Sequence, residues 1–462
     1  MNAPVRLEPT QIYHVVKGRT SSEPVHEYGP AHARFLTPKL DTNELVWSRA
    51  EEPPLANVPL AEIMDVLEAV GARLKRDPDG FLAEALELSQ RTNPLPREIV
   101  ERAYSNLGNA FDRKRMQFML DEELGGADAI DGWREVKTIS GRPARVRAYA
   151  PRIVHVLAGN GPGQAAQSLI RGALVKGVHL FKMPSNDLFS AAAVLRTLAA
   201  EAPNHPITQS FSTVYWRGGD ERVEGMLFRP QFFDKLVAWG GEAAIRSAVK
   251  YVGPGFELIS FDPKTSISMV GREAFASDET LAAAADAAAS DATMLNQQAC
   301  VSSRFQFIEA SEEEADRFCA LLYERMGAER PFSSNLPWPT PPQIREEIEG
   351  LRMMEDLYRV WGKFDDRGLV IRSDDPVDFH PDGKVVNVVR VANLKDAVRH
   401  VNVATQTVGI YPAARKEGLR NLLAAAGTQR VVTLGCAAPE LGLPHDGFYP
   451  LQRFVRWVND EG

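Results

Sequence analysis

Residues 153–187 read IVHVLAGNGPGQAAQSLIRGALVKGVHLFKMPSND. A short apolar run ends in a turn carrying glycines and Asn160, a helical stretch follows, and a second apolar run ends in the polar turn after Lys182. Two apolar runs of strand length joined by a helix predict parallel strands with a helical crossover. The alternation continues through DLFSAAAVLRTLAAEA, KLVAWGG and EAAIRSAVKYV, so the fold class is α/β from about residue 151 to about residue 270. In an open sheet of this kind the ligand lies outside the carboxyl ends of the strands. The polar motifs stand at those ends.

Working outward, residues 1–59 are rich in Pro, Glu, His and Thr without sustained periodicity, which predicts a loosely ordered or surface-wrapping entry segment. From Leu60 to Leu124 the spacing of Ile63, Val66, Leu67 and Val70, and of the stretches after them, predicts amphipathic helices. Residues 136–157 read as strands, with alternation at Val146, Ala148 and Ala150. Downstream, the alanine-rich helix LAAAADAAASDATML opens a second α/β region, which continues with the strand SSRFQFIEA. A helix then begins with Ser311 and Glu314 spaced as a capping box. Cys319 on that helix reads as a small core hydrophobe.

A net charge of −8 gives no general electrostatic reason for a nucleic-acid or anionic-membrane partner. Neither a secretory signal nor an apolar stretch of spanning length is evident, which predicts a soluble cytoplasmic protein. The three cysteines, Cys300, Cys319 and Cys436, form no C-x-x-C pair, so no disulfide framework and no metal site is expected.

Four stretches can carry chemistry. In NQQACVSSR, residues 296–304, Cys300 sits at a helix-to-strand transition among polar neighbours. There a thiol can meet substrate and backbone N–H groups favour the thiolate; the other reading is a small residue in a tight turn. Residues 157–164, LAGNGPGQ, either let backbone approach a ligand at Asn160 or form a plain strand-to-helix turn. Lys182, with Pro184 and Ser185 just beyond it, either meets a ribose or its phosphate or is a solvated strand-end charge. Gly240, Gly241 and Glu242 place a glycine pair at a helix start, where an anion or a ring can approach. Glu242 is then a cofactor contact or a helix-dipole partner. His445 and Asp446 in LPHDG divide between a proton-transfer role and a turn.

Together LAGNGPG, LFKMPS, AWGGE and NQQACVSSR resemble, in order and spacing, the motifs of the aldehyde dehydrogenase superfamily. Residues 153–177, the GWREV segment at 132–136 and PHDGFYPLQRFVRWVND at 444–460 resemble more closely the LuxC-type acyl-CoA reductases. The resemblance covers roughly residues 60–462 and is specific around Asn160 and Cys300. It implies an aldehyde-dehydrogenase-like fold: a Rossmann-type cofactor domain (60–131 and 151–270), an α/β catalytic domain (271–446) and a small β oligomerisation extension (132–150 and 447–462). A homodimer or homotetramer is implied.

The resemblance also implies roles. Cys300 would attack an acyl-CoA thioester, and Asn160 with the backbone N–H of Cys300 would hold the oxyanion, each such donor being worth roughly 3 kcal/mol. Lys182, Pro184, Ser185, Gly240, Gly241 and Glu242 would line the site of NADPH or NADH, and Arg304 would fix the cysteine loop. Hydrolysing members carry a glutamate in an E-L-G-G-K-like strand end. Aligning Lys264 with that lysine puts Ser260 at the glutamate's position, which favours an acyl-CoA reductase making a fatty or other hydrophobic aldehyde. Glu257, three residues earlier, would restore a base if the alignment shifted, which keeps a hydrolysing NAD(P)-dependent aldehyde dehydrogenase as an alternative. The glutamate that commonly holds the nicotinamide ribose is replaced by His380 or Asp382. A non-catalytic dinucleotide-binding assembly protein is a third reading, and an acyl-donor protein is a possible partner.

Overall fold

The computed structural model describes residues 8–462, so the first seven positions of the expected entry segment lie outside the described residues. From residue 8 onward that segment is not loose. Strand β1 (His14–Val16) and strand β2 (Arg19–Ser21) form a hairpin whose first strand pairs with residues 212 and 213, almost two hundred positions away. Thr10–Gln11, His26–Tyr28 and Phe35–Thr37 build a small sheet of their own, and Ile12, Val15 and Phe35 are buried. Three-residue strands are too short for an alternation to register.

The chain divides into two compact units. The first comprises the described residues up to Pro94, Val100–Asp262 and Leu441–Gly462. Its sheet contains β3 (Arg152–Val156), β4 (Val178–Lys182), β5 (Phe211–Val214), β6 (Lys235–Trp239) and β7 (Glu257–Phe261), in the order β7-β6-β3-β4-β5-β1-β2. The run from β7 to β5 is parallel. Helices α1 (Gly163–Leu174) and α2 (Ser190–Glu201) carry the chain from β3 to β4 to β5. It then returns to the far side of β3 to enter β6, which leads into α3 (Glu242–Val249). The strand order therefore reverses between β3 and β6, and the carboxyl ends of those two strands flank the crevice where such sheets take a ligand. Every residue of β4 and β5 is buried, as expected of strands covered on both faces. Val154, Leu180, Val214, Leu236 and Ala238 share one core with Trp216, Phe228 and Phe233.

Within the same unit, Arg134–Lys137, Pro143–Tyr149 and Arg456–Glu461 make a three-stranded antiparallel sheet with Pro143–Tyr149 in the middle.

The second unit comprises Leu95–Ile99 and Pro263–Glu440. Its strands are β8 (Thr265–Val270), β9 (Ser303–Glu309), β10 (Arg359–Trp361), β11 (Leu369–Ser373), β12 (Val385–Val391), β13 (Thr405–Tyr411) and β14 (Arg430–Thr433), ordered β10-β11-β12-β9-β8-β13-β14. Only β10 runs antiparallel to its neighbour. Helices α4 (Asp278–Thr293) and α5 (Glu312–Met326) pack together through Ala284, Ala285, Ala288 and Ala292 against Ala315, Phe318, Cys319 and Leu322. The alanines keep the side of α4 facing this core flat, and Cys319 fills the core as a small apolar residue. The capping box expected at α5 is present: Ser311 Oγ accepts from Glu314 N at 3.3 Å, and Glu314 accepts from Ser311 N at 2.8 Å.

The boundary after the first unit falls at 262/263 rather than at 270, because β8 pairs with β9 and β13 and belongs to the second sheet. At the other end the second unit stops at Glu440 rather than 446.

Candidate functional site

The first unit brings Asn160, Lys182, Pro184, Ser185, Gly240, Gly241 and Glu242 to the carboxyl ends of β3, β4 and β6. The turn after β3 is tied to β4 by Leu157 N donating to Lys182 O at 3.1 Å. It is closed by the side chain of Gln164, which accepts from Ala158 N. Gly159 is required by close approach: a Cβ there would collide with the side-chain amide of Asn186. Asn160 itself is exposed.

Lys182 is not a solvated strand end. Only 8% of it is exposed, and its Nζ stands 5.6 Å from the centre of the Tyr215 ring. Burial pulls the ammonium down to about 8, against the opposing attraction of Glu224. Glu224 is buried too, and accepts from Trp216 Nε1 at 3.2 Å, Gly219 N at 3.0 Å and Tyr251 OH at 3.3 Å. Pro184 is half-buried and Ser185 exposed. Gly241 is the N-cap of α3. Glu242 is exposed at the start of that helix, and its Oε1 accepts from Arg246 Nε at 2.9 Å one turn on, which fits the helix-dipole reading.

Trp239, the last residue of β6, stacks on Phe261 at the end of β7 with ring centres 3.5 Å apart. His445 meets both rings edge-on at 5.4 and 5.3 Å. The H-D-G stretch is a tight hairpin, with Asp446 at φ 51° and His445 N donating to Phe448 O at 2.9 Å. Glu257 starts β7 and is held by Lys235 Nζ at 2.9 Å and Arg453 at 2.6 Å. Burial alone would raise its carboxyl, but those two cations outweigh it and the group lies below its ordinary range.

The second unit holds Cys300, exposed on the loop between α4 and β9. Three consecutive residues ahead of it, Leu295, Asn296 and Gln297, have φ of 50°, 48° and 71°. Left-handed backbone at three non-glycine residues costs roughly 1–2 kcal/mol each and persists only where surroundings enforce it. Those surroundings are visible. The fully buried Gln297 side chain donates to Val385 O at 2.8 Å and accepts from Val385 N at 3.0 Å. Asn296 Oδ1 accepts from Ser334 N at 2.9 Å, while Lys384 Nζ donates to Ser334 O at 3.0 Å. Beyond the bend, Ser302 Oγ donates to Met294 O and Ser266 Oγ donates to Cys300 O, both at 2.9 Å. Gln406 Nε2 lies 3.5 Å from Cys300 Sγ, aiming an N–H donor at the sulfur.

Arg304 fixes this loop as expected, donating to Gln297 O at 2.8 Å and to Pro381 O, with Asp382 at 3.3 Å. Burial pulls its guanidinium down, and Asp382 and Cys300 pull it back. Asp382 is thus engaged with Arg304, and His380 is held below its ordinary range by burial and by that same guanidinium. Cys436 is exposed on the turn after β14. Among the described residues no group of three or more His, Cys, Asp or Glu is arranged to hold a metal ion, and no helix is long and apolar enough to cross a membrane.

Sequence reasoning missed the clamp residues Asn296, Gln297, Ser266 and Gln406, and Asn186 over the β3 turn. The polar neighbours of Cys300 were visible, but their burial was not, since Val385 lies 88 positions from Gln297 and Gln406 lies 106 from Cys300.

The sequence profile of the family described as acyl-CoA reductase (LuxC) matches residues 55–457. The chain is 30% identical over 351 residues to a long-chain acyl-protein thioester reductase of Vibrio harveyi, covering 74% of this chain and 70% of that protein. It is 29% identical over 354 residues to one of Photorhabdus laumondii, with the same coverage. Among solved structures, lactaldehyde dehydrogenase from Escherichia coli superposes with a TM-score of 0.74 at 13% identity, covering 98% of this chain and 99% of that one. NADP-dependent glyceraldehyde-3-phosphate dehydrogenase from Bacillus halodurans gives 0.71 at 14%, with the same coverage. The fold is thus that of the aldehyde dehydrogenases, and the chain belongs to the acyl-CoA reductase (LuxC) family.

Proposed function

We propose that this protein reduces a long-chain acyl thioester, on coenzyme A or on a donor protein, to the aldehyde through a Cys300 acyl-enzyme with a nicotinamide dinucleotide. The observation that carries this reading is an exposed thiol on a bend whose left-handed backbone is enforced from several sides. A thiol that merely filled space would need no such enforcement.

Cys300 adds to the thioester carbonyl, and collapse of the tetrahedral adduct expels the donor's thiolate and leaves the acyl group on Sγ. Asn160 and the backbone N–H of Cys300 are the proposed oxyanion donors. The cofactor, when bound, supplies a hydride to the acyl carbon. The resulting thiohemiacetal releases aldehyde as Sγ leaves with the bonding pair and the oxyanion reforms the carbonyl. The crevice between β3 and β6 fits a dinucleotide: Gly159 keeps backbone open to close approach, and Lys182 is a deeply buried cation whose Nζ stands over the Tyr215 ring. Lys182, Pro184, Ser185, Gly240, Gly241 and Glu242 would line it, and NADPH or NADH would be held there.

Aldehyde rather than acid is favoured because the carboxylate of a shifted alignment, Glu257, begins β7 instead of ending it and is locked by two cations. Three residues along a strand is about 10 Å. The outer strands of the three-stranded sheet each present one edge, which suits pairing with a second copy in a homodimer or homotetramer. Free thiols suit a reducing, cytoplasmic setting.

The test is to incubate a panel of acyl-CoAs with the protein and NADPH or NADH, following nicotinamide absorbance, free thiol and intact mass. The acyl adduct should map to Cys300 and vanish in Cys300→Ala, which should still bind cofactor. Aldehyde formation at the parent rate by Cys300→Ala would overturn the reading, and turnover only of aldehyde to acid would establish the hydrolysing alternative.

A further inference from the structure

Asp291 stands in the last turn of α4, only 2% exposed. A carboxylate at a helix C-terminus faces the negative end of the dipole, and burial adds a desolvation cost. It is accommodated because both oxygens are used: Oδ2 accepts from Gly435 N at 2.8 Å and Oδ1 from Ala437 N at 3.0 Å. The surroundings are shaped for it. A Cβ on Gly409 in β13 would come within 2.9 Å of Asp291 Oδ2, and Gly435, at φ 87°, turns the chain against Ala287.

The turn so held lies against the nucleophile loop. Ala437 packs with Ala299 and Val301, the residues on either side of Cys300, and with Met294 and Leu295 at the start of the left-handed bend. Its carbonyl is fastened as well: Arg430 donates to Ala437 O at 3.0 Å and to Thr407 Oγ1 at 2.9 Å, next to the Gln406 that points at Cys300 Sγ.

We infer that Asp291 is a positioning residue for Cys300, its carboxylate holding the 435–437 turn as a wall that keeps the cysteine loop in its reactive shape. This rests on Cys300 being the nucleophile. The charged or titratable groups facing the carboxylate are Arg430 from β14 and Cys436 on the turn itself. β13 presents Gly409, and the cysteine loop presents Met294, Leu295, Ala299 and Val301, all neutral. Burial raises Asp291 to about 6, against the two N–H donors and Arg430. Below that pH one oxygen gains a proton, the carboxylate loses its charge, and the N–H strap on the protonated oxygen weakens.

The full chain carrying Cys436→Ser leaves Cys300 and the sealed Cys319 as its thiols, so iodoacetamide alkylation read by mass reports Cys300. Its rate should follow the thiolate and show an additional step near pH 6. Asp291→Asn in that background should lower the rate about tenfold at pH 8 and remove the step. Ala437→Gly, which thins the wall without touching the carboxylate, should lower the rate less and keep the step. A parent-like rate with the pH 6 step retained in Asp291→Asn overturns the inference. If Asp291→Asn does not fold, an unchanged rate in Ala437→Gly overturns it. Alkylation needs no acyl chemistry, so aldehyde formation by Cys300→Ala would defeat the functional reading while leaving the geometric result standing.

Discussion

The clamp on the cysteine loop makes Gln297→Ala the most informative substitution. In the parent, the Gln297 amide acts as a strand-like partner for Val385, with bonds of 2.8 and 3.0 Å in a fully buried site. Truncation leaves the Val385 N–H and C=O without that partner, at about 1–3 kcal/mol for each group. Meanwhile three residues at φ 48–71° retain a drive of about 3–6 kcal/mol in total toward ordinary backbone. The clamp and the strain are of similar size, so removing the first lets the second reshape the loop and displace Cys300. Taking about 2–3 kcal/mol as the part felt at the thiol, acylation should slow about 30- to 160-fold. Single-turnover thiol release from an acyl-CoA measures that rate, and hydrogen exchange at the Val385 amide reads the clamp directly. Gln297→Glu keeps the acceptor and loses the donor, so it should fall between. If Gln297→Ala acylates within twofold of the parent while the Val385 amide exchanges faster, the bend is not what presents the thiol.

Two further outcomes concern the first unit. With Lys182 titrating near 8, dinucleotide affinity should be flat from pH 6 to 7.5 and fall above 8, a fall that Lys182→Met should abolish along with tight binding; calorimetric titration reads both. Because the folded-state value lies below the ordinary lysine value, the buried ammonium costs stability below pH 8 and the cost is recovered as pH rises past it, so Lys182→Met should melt above the parent at pH 7. Gly159→Ala drives a methyl into the Asn186 amide and should weaken cofactor binding at least tenfold, whereas adding Asn186→Ala should restore most of it.

The fold was legible wherever packing leaves a local trace. Strands β3, β4 and β6 are buried on both faces, so they read as apolar runs, and their glycine turns mark the carboxyl ends where the crevice opens. Ser311 and Glu314 announced α5 because a capping box satisfies backbone donors within four residues. The break between units was placed late because β7 and β8 follow one another in ELISFDPKTSISMV with no helix between, and only pairing partners assign them to different sheets. The N-terminal strands escaped notice because each spans three residues or fewer and the strand that ties them to the main sheet, β1, pairs with residues almost two hundred positions away.

The site divides along the same line, and the division is physical. Lys182 and Gly159 could be located from sequence because strand ends and turns are local events. What shapes their surroundings was not local: Lys182 is depressed by burial, and Gly159 is compelled by Asn186, which arrives from the next strand end. Cys300 shows the limit most clearly. Its polar neighbours suggested a thiol within reach of substrate or a small residue in a tight turn, and neither reading told that Asn296 and Gln297 are sealed and bonded to residues 334 and 385. A buried amide in a structured loop and a solvated amide in a loose one are the same letters. They differ only in whether a distant backbone N–H and C=O arrive to meet them, and the placement of the thiol depends on that arrival because strained backbone holds its shape only when something outside it does the holding.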